Sequence, residues 1–187
     1  MILPIFAYGQ PVLKKKAKAI EENDEALKAL IENMWETMYN ASGVGLAAPQ
    51  IGKSIRLFLV DTIQTMEEGK EEQGIKQAFI NAEILEEEGN SWPYEEGCLS
   101  IPDIRADVER LSKIKIKFLD TDFKEHIKEF DGINARVIQH EYDHIEGILF
   151  TEYLKPLKKR LIKRRLEAIR KGKTTASYPL KYPKNIK

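Results

Sequence analysis

The chain has 187 residues, of which 42% are hydrophobic and 32% are charged, and 30 basic side chains balance 30 acidic ones. This length suits one domain with a hydrophobic core, and the composition argues against a disordered or fibrous protein. No run of roughly 18 apolar residues, as a membrane span requires, is present in the sequence. Residues 1–18 place apolar residues before lysines, the reverse of a secretory signal, so we predict a cytoplasmic protein without membrane contact.

The first half of the chain contains one clear helical pattern and one clear strand. Apolar residues at helical spacing predict a helix over about residues 24–40, with Asn23 as a possible cap. The apolar run at residues 55–61 is typical of a strand. Residues 62–77 are charged and lack periodicity, which indicates an exposed loop.

The second half begins with a hairpin pattern and continues into a helix. Residues 113–120 alternate lysine with apolar side chains, as in a half-solvated antiparallel strand, and residues 126–130 return as its partner. Asp131 is a plausible cap for a helix that closes on Gly147. The residues on one stripe of this helix are Ile133, Val137, His140 and His144.

A basic helix is predicted near the end of the chain, over about residues 156–171. Residues 155–173 contain ten Lys or Arg against one acid, which suggests either an anionic partner or a solvated helix face. We predict one domain over residues 1–172, which includes this helix, and an irregular tail over residues 173–187. The helix has a narrow apolar seam that consists of Leu157, Leu161, Leu166 and Ile169.

The stretch QHEYDHIEG, residues 139–147, contains an H-E-x-x-H pattern. Positions i and i+4 share one helical face, so His140 and His144 can direct ring nitrogens at one metal ion, with Glu141 beside it. The alternative is a helix that carries two surface histidines without a metal. We favour the metal site because the stripe is otherwise apolar and would bury the histidines to no purpose.

A catalytic metal requires a third protein ligand and an open position for water. One familiar extension of H-E-x-x-H would place a further histidine where this chain has Phe150. A downstream glutamate would be Glu152 or Glu167. The only cysteine, Cys98, cannot form an internal disulfide and is the remaining soft ligand.

Three segments together resemble the motifs of bacterial peptide deformylases: GVGLAAPQ at 43–50, EGCLS at 96–100 and HEYDHIEG at 140–147. The resemblance extends over about residues 2–165. It implies an α+β fold in which antiparallel β-sheets surround a central helix that carries H-E-x-x-H, with an N-terminal helix and a C-terminal helix besides.

The resemblance also implies an activity, namely hydrolysis of the formyl group from the N-terminal formyl-methionine of new polypeptides, which releases formate. By motif position, Cys98, His140 and His144 bind the metal, water takes the fourth site, and Glu141 is the general base and acid. The family points to Fe²⁺ in vivo, and this donor set also accepts Zn²⁺, Ni²⁺ or Co²⁺.

Other residues are expected to bind the reacting carbonyl and the peptide. The amide of Gln50 and the backbone N–H of Leu99 would stabilise the developing oxyanion. Gly43 and Gly45 lack side chains, so a peptide could pair with their backbone as an added strand. The remaining residues predicted to surround the substrate are Val44, Glu96, Gly97, Arg105, Ile133, Val137 and, at the rim of the methionine pocket, Arg136.

The sequence leaves two roles open for each of two acidic residues and assigns no site role to the third histidine. Glu96 and Asp143 either orient the metal ligands or form a surface ion pair with an arginine such as Arg110. His126 lies among charged residues and is expected to be exposed.

The expected partners are N-formyl-methionyl nascent peptides, and the resemblance implies that the basic C-terminal helix contacts the ribosome. No specific DNA partner is expected. The rival functions are a general zinc peptidase and a ribosome-associated binding protein with a structural metal, although a closed structural site requires four protein ligands.

Overall fold

The computed structural model describes residues 1–184 and contains three helices and seven strands among them. The helices are α1 Glu25–Asn40, α2 Gly132–Glu146 and α3 Pro156–Arg170. The strands are β1 Ile5–Phe6, β2 Gly45–Ala47, β3 Leu57–Asp61, β4 Lys76–Cys98, β5 Ile101–Leu119, β6 Glu125–Asp131 and β7 Leu180–Lys181.

Strands β2 to β6 form one antiparallel sheet in chain order, and β1 pairs in parallel with β7. Strands β4 and β5 form a long hairpin whose register runs from the pair Ile80–Leu119 to the pair Cys98–Ile101 at its turn. Strand β4 and the first half of β5 were not predicted from the sequence. Residues 85–95 of β4 are mostly exposed, so their side chains carry no apolar alternation, whereas the first half of β5 does alternate buried and exposed side chains and this pattern was overlooked.

Helix α2 packs across the sheet, and this packing forms one of the hydrophobic clusters of the core. Ala135 and Ile138 of the helix share this cluster with the stacked rings of Phe58 and Phe79, whose centroids lie 4.8 Å apart. Burial of such side chains contributes about 1.5–3 kcal/mol each. The predicted α+β class, with antiparallel strands around the histidine helix, is confirmed.

The helix ends follow ordinary capping rules, with one correction. Asp24, and not Asn23, caps α1, because its side chain accepts a hydrogen bond of 2.8 Å from the Leu27 N–H. Asp131 occupies the cap position of α2 without a side-chain capping bond. The helix stops at Gly147, whose φ of 77° is a left-handed conformation that glycine adopts without strain.

The predicted apolar seam of α3 is wrong in part. Leu157 and Leu161 are 69% and 68% exposed, whereas Ile162 and Ile169 are buried. The helix packs through the stripe that contains Ile162, because only that side meets the cluster formed with Leu149 and Phe150. The first half of the predicted seam, Leu157 and Leu161, therefore faces solvent, whereas the second half, Leu166 and Ile169, lies on the contact face.

The tail is more ordered than expected. Residues 180–181 form β7, which corrects the prediction of an irregular tail at these positions, while residues 185–187 of that prediction lie outside the described part of the chain. Within residues 1–184, no helix combines the length and the apolar character needed to cross a bilayer.

Candidate active site

Three soft donors converge where the end of β4 meets α2. One ligand atom each from Cys98, His140 and His144 lie within 4.8 Å of one another. The Cys98 Sγ is 3.3 Å from His144 Nε2, and the two imidazole rings have centroids 5.2 Å apart. Such a group of one thiol and two imidazoles suits a divalent transition metal, and three ligands leave a tetrahedral position open.

The side chain of Glu141 lies beside these donors in a buried environment. Its Oε2 has no hydrogen-bond partner among the described residues. Burial raises the pKa of the Glu141 carboxyl to about 7. An unpartnered buried carboxylate oxygen next to a metal-ligating group is the arrangement expected of a group that exchanges protons with water or substrate.

The orientation of His140 is fixed by a buried ion-pair network. Its Nδ1 lies 2.8 Å from Glu96 Oε2, which leaves Nε2 as the nitrogen that can bind a metal. Arg110 binds Glu96 through two nitrogens at 2.7 and 3.0 Å and donates to Asp143 at 2.8 Å. Burial alone would raise the pKa of Glu96, but the hydrogen bonds from His140 and Arg110 outweigh it and hold this pKa well below its usual range.

This network bears on the two roles considered for Glu96 and Asp143. The ion pair with Arg110 is buried, so it is not a surface pair. Both carboxylate oxygens of Glu96 are engaged by protein groups, which favours orientation of His140 over direct contact with a substrate. Burial also lowers the pKa of His144, which favours the neutral imidazole that a metal requires.

Arg136 lies beneath the predicted methionine pocket and not at its rim. The residue is 2% exposed, and its guanidinium donates to Glu96, to the Val108 carbonyl at 2.8 Å and to the Trp92 carbonyl at 2.6 Å. It also stacks over the Trp92 ring at 4.5 Å. The correction has a physical reason, since a charge on the inner face of a helix must find buried partners.

The turn between β4 and β5 brings Leu99 and Ser100 next to Gln50. Gln50 lies on a short 3-10 helix and is 1% exposed. Its Nε2 is 3.5 Å from the Cys98 Sγ and 3.3 Å from the Ser100 hydroxyl, and its Oε1 accepts from the Ala47 N–H at 2.9 Å. The amide nitrogen of Gln50 is therefore held beside the predicted metal ligands.

A cleft of about 520 Å³ opens over this group of side chains. All the predicted substrate-binding residues line it: Gly43, Val44, Gly45, Glu96, Gly97, Arg105, Ile133, Arg136 and Val137. Two predicted metal ligands, Cys98 and His140, line it as well, together with Gln50, Leu99 and Glu141, whereas His144 lies below the surface. Arg105 is exposed and pairs with Glu95 at 2.9 Å.

Two residues of this region were placed wrongly, or not at all, from the sequence. Arg110 was considered only as a surface ion-pair partner, although it continues the buried alternation of Ile104, Ala106 and Val108 along β5, and this register could have shown that it is buried. No comparable signal pointed to Tyr178, which reaches the cleft from the tail. His126 proved only partly exposed, because it pairs with Asp120 and its ring stacks on Phe118.

Comparison with known proteins identifies the family. The polypeptide deformylase family matches residues 2–160. The chain belongs to this family. A peptide deformylase from Cytophaga hutchinsonii is 53% identical, and the match covers 98% of each protein. As a member of the polypeptide deformylase family the chain is an enzyme, and it is a hydrolase.

Solved deformylase structures share the fold. The crystal structure of a peptide deformylase from Legionella pneumophila superposes with a TM-score of 0.81 at 38% identity and covers 92% of this chain and 98% of its own. The structure from Thermotoga maritima gives a TM-score of 0.75 at 43% identity and covers 83% and 99%. The family model ends at residue 160, whereas the match to the Cytophaga hutchinsonii protein covers 98% of this chain and so includes α3 and most of the tail.

Proposed function

We propose that this enzyme removes the formyl group from the N-terminal formyl-methionine of newly synthesised polypeptides in the cytoplasm and releases formate. The observation that carries the proposal is the convergence of Cys98, His140 and His144 beside the unpartnered carboxylate of Glu141 in an open cleft. A purely structural metal would require a closed site with a fourth protein ligand.

Cys98, His140 and His144 would hold one divalent metal ion. When bound there, the ion supplies Lewis-acid activation of water and of the formyl oxygen. Glu96 binds His140 at Nδ1 and so leaves Nε2 of this ring for the ion, and burial favours the neutral form of His144.

Glu141 serves as the proton carrier in this proposal. Its pKa of about 7 lets the carboxylate accept a proton from the attacking water near neutral pH and return it to the departing amine. The free Oε2 lone pairs are available for this transfer, since no described protein group occupies them.

The formyl oxygen becomes negative as the carbon turns tetrahedral, and donors held in advance stabilise this charge. The Gln50 amide and the backbone N–H of Leu99 would supply them. The amide of Gln50 is preorganised, because its Oε1 is anchored to Ala47 and its Nε2 is aimed toward Cys98. One such donor is typically worth about 3 kcal/mol of transition-state stabilisation.

The peptide is placed along β2 in this proposal. Strand β2 is an edge of the five-stranded sheet, so a bound peptide can extend the sheet by one strand. Val44, Ile133 and Val137 give the cleft apolar walls for a methionine side chain.

A direct assay separates this function from the rival peptidase. Purified enzyme should release formate from formyl-Met-Ala and should leave Met-Ala-Ser intact. Cleavage of Met-Ala-Ser without formate release would support a general peptidase instead. Metal analysis of anaerobically purified protein in the same experiment tests the expected Fe²⁺, with Zn²⁺, Ni²⁺ or Co²⁺ as the alternatives that a Cys-His-His group accepts.

Gly45 should be far less tolerant of substitution than Gly43. A Cβ at Gly45 would lie 2.7 Å from the Glu141 Cδ, so Gly45→Ala must displace the proton-carrying carboxylate. A misplacement of about 1 Å typically costs about 100-fold in rate. We expect kcat for formyl-Met-Ala to fall by roughly this factor, with a small change in melting temperature.

Gly43→Ala is the matched comparison. A Cβ there meets the end of the Leu99 side chain at 2.8 Å, and this methyl group can rotate away. Because the catalytic groups then move less, we expect kcat for formyl-Met-Ala to fall by less than about ten-fold in Gly43→Ala. Equal losses for the two variants would contradict the placement of Glu141 against Gly45.

We also propose that α3 contacts the ribosome through its basic face. Lys159 and Lys163 lie one turn apart on the exposed side and form no ion pair among residues 1–184. Replacing both by Glu should greatly reduce cosedimentation with ribosomes at low salt, because contacts to phosphates depend on such charges. The control is Lys113→Glu with Lys128→Glu on the sheet, which changes the net charge equally. Equal binding by the two double variants would overturn the proposal.

A further inference from the structure

The C-terminal segment after α3 returns to the cleft and is held there by backbone pairing. The N–H groups of Ile5 and Ala7 donate to the carbonyls of Pro179 and Lys181 at 2.8 and 3.0 Å. The side chain of Gln10 donates to the carbonyls of Lys181 and Tyr182 at 3.1 and 2.9 Å. The bonds to Pro179, just before β7, and to Tyr182, just after it, attach the C-terminal segment to residues 5–10 at both ends of this strand.

This attachment places one tail side chain at the cleft. Tyr178 lines the cleft, and its hydroxyl donates to the Leu99 carbonyl at 2.8 Å. Its ring packs against the hydrophobic cluster that contains Leu46. Burial is the main cause that raises the pKa of Tyr178, so the hydroxyl keeps its proton and remains a donor.

The β4–β5 turn is therefore fixed from three directions. Tyr178 binds the Leu99 carbonyl, the Tyr8 N–H binds the Ser100 carbonyl at 2.8 Å, and Gln50 binds the Ser100 hydroxyl. The C=O and the N–H of Leu99 lie in neighbouring peptide planes, which are linked only by the φ and ψ angles of this residue. A hydrogen bond that holds the Leu99 carbonyl therefore also limits the directions in which the Leu99 N–H can point.

We propose that Tyr178 is a positioning residue for the reaction, which acts by fixing the Leu99 backbone in the cleft. This proposal rests on the proposed function, in which the Leu99 N–H binds the formyl oxygen. It assigns a role in the active site to a segment beyond residue 160, where the family match ends.

The test compares Tyr178→Phe with Tyr182→Phe in the full chain. Both changes remove a tail hydroxyl that donates to a backbone carbonyl, but Tyr182 binds Thr174 and lies outside the cleft. We expect Tyr178→Phe to lower kcat for formyl-Met-Ala about five-fold and to change KM by less than about two-fold. This is the size of effect expected when one neutral hydrogen bond is lost and the loss weakens mainly the binding of the transition state. Tyr182→Phe should leave both constants unchanged.

Hydrogen exchange separates failure of this proposal from failure of the proposed function. Tyr178→Phe should accelerate amide exchange in residues 98–101 whether or not the enzyme deformylates, while residues 5–7 stay protected because the tail remains paired. If wild-type protein releases no formate, the proposed function fails, and faster exchange at 98–101 would then show only that Tyr178 restrains the Leu99 backbone. Three results would each overturn the positioning role of Tyr178. They are unchanged exchange at residues 98–101, an unchanged kcat in an active enzyme, and an acceleration of exchange at residues 5–7 equal to that at residues 98–101.

Discussion

Glu141→Gln is expected to lower kcat for formyl-Met-Ala by about 1,000-fold, since positioned acid–base groups contribute about 100- to 10,000-fold. Gln keeps the shape of the side chain but cannot accept the proton of the attacking water. Glu141 is separate from the three proposed ligands, so metal content should stay near that of the wild type. Formate release and metal analysis on the same preparation measure both quantities.

Glu146→Gln is the control for this variant. It is the same substitution on the same helix, but Glu146 pairs with Lys16 and Arg56 and does not line the cleft. Activity should be retained. A Glu141→Gln enzyme that keeps more than about a tenth of wild-type kcat would remove Glu141 from the role of general base, because that loss is smaller than such groups produce.

Cys98→Ala is expected to weaken metal binding more than about 100-fold and to abolish formate release. Loss of even an outer partner of a ligand typically costs 10- to 100-fold in affinity, and removal of a direct ligand costs more. Two imidazoles would remain to hold the ion. Titration of metal-free protein with Zn²⁺ or Co²⁺, followed by dialysis and metal analysis, measures the loss.

His126→Ala serves as the control for the cysteine variant. It removes a potential metal-binding side chain that pairs with Asp120 in the β5–β6 hairpin, away from the cleft. Metal content and activity should both persist. A Cys98→Ala protein that retains one tightly bound ion per chain would show that the thiol is not a ligand, and the convergence of the three donors would lose its functional meaning.

The local features of this protein were readable from its sequence. Helix α2 was predicted correctly because its apolar stripe follows the helical period and Gly147 ends it in a left-handed conformation. The i, i+4 spacing of His140 and His144 places both rings on one face without any tertiary information. Three separated motifs were sufficient to predict the family, which the comparisons confirm.

The partners of each side chain depended on the tertiary structure. In the proposed metal group Cys98 meets two histidines that lie 42 or more positions further along the chain. From the sequence spacing alone, Cys98, Glu152 and Glu167 were all possible as the third ligand. Only the meeting of β4 with α2 makes Cys98 the neighbour of both histidines. Arg110 likewise looked like a surface charge until the pairing of β5 brought it to Glu96.

Helix α3 and the C-terminal tail show the same contrast between what the sequence predicts and what the tertiary structure decides. Helix α3 has apolar residues on more than one side, so its sequence predicts a helix but not that Ile162, rather than Leu161, faces the core. The tail has no period, and its order comes from backbone bonds to β1 and from the side-chain contacts of Gln10 and Tyr178, which no local pattern predicts. Short-range periodicity determines which residues form a helix or a strand, whereas burial and hydrogen bonding between distant segments decide which face is covered and which side chains meet.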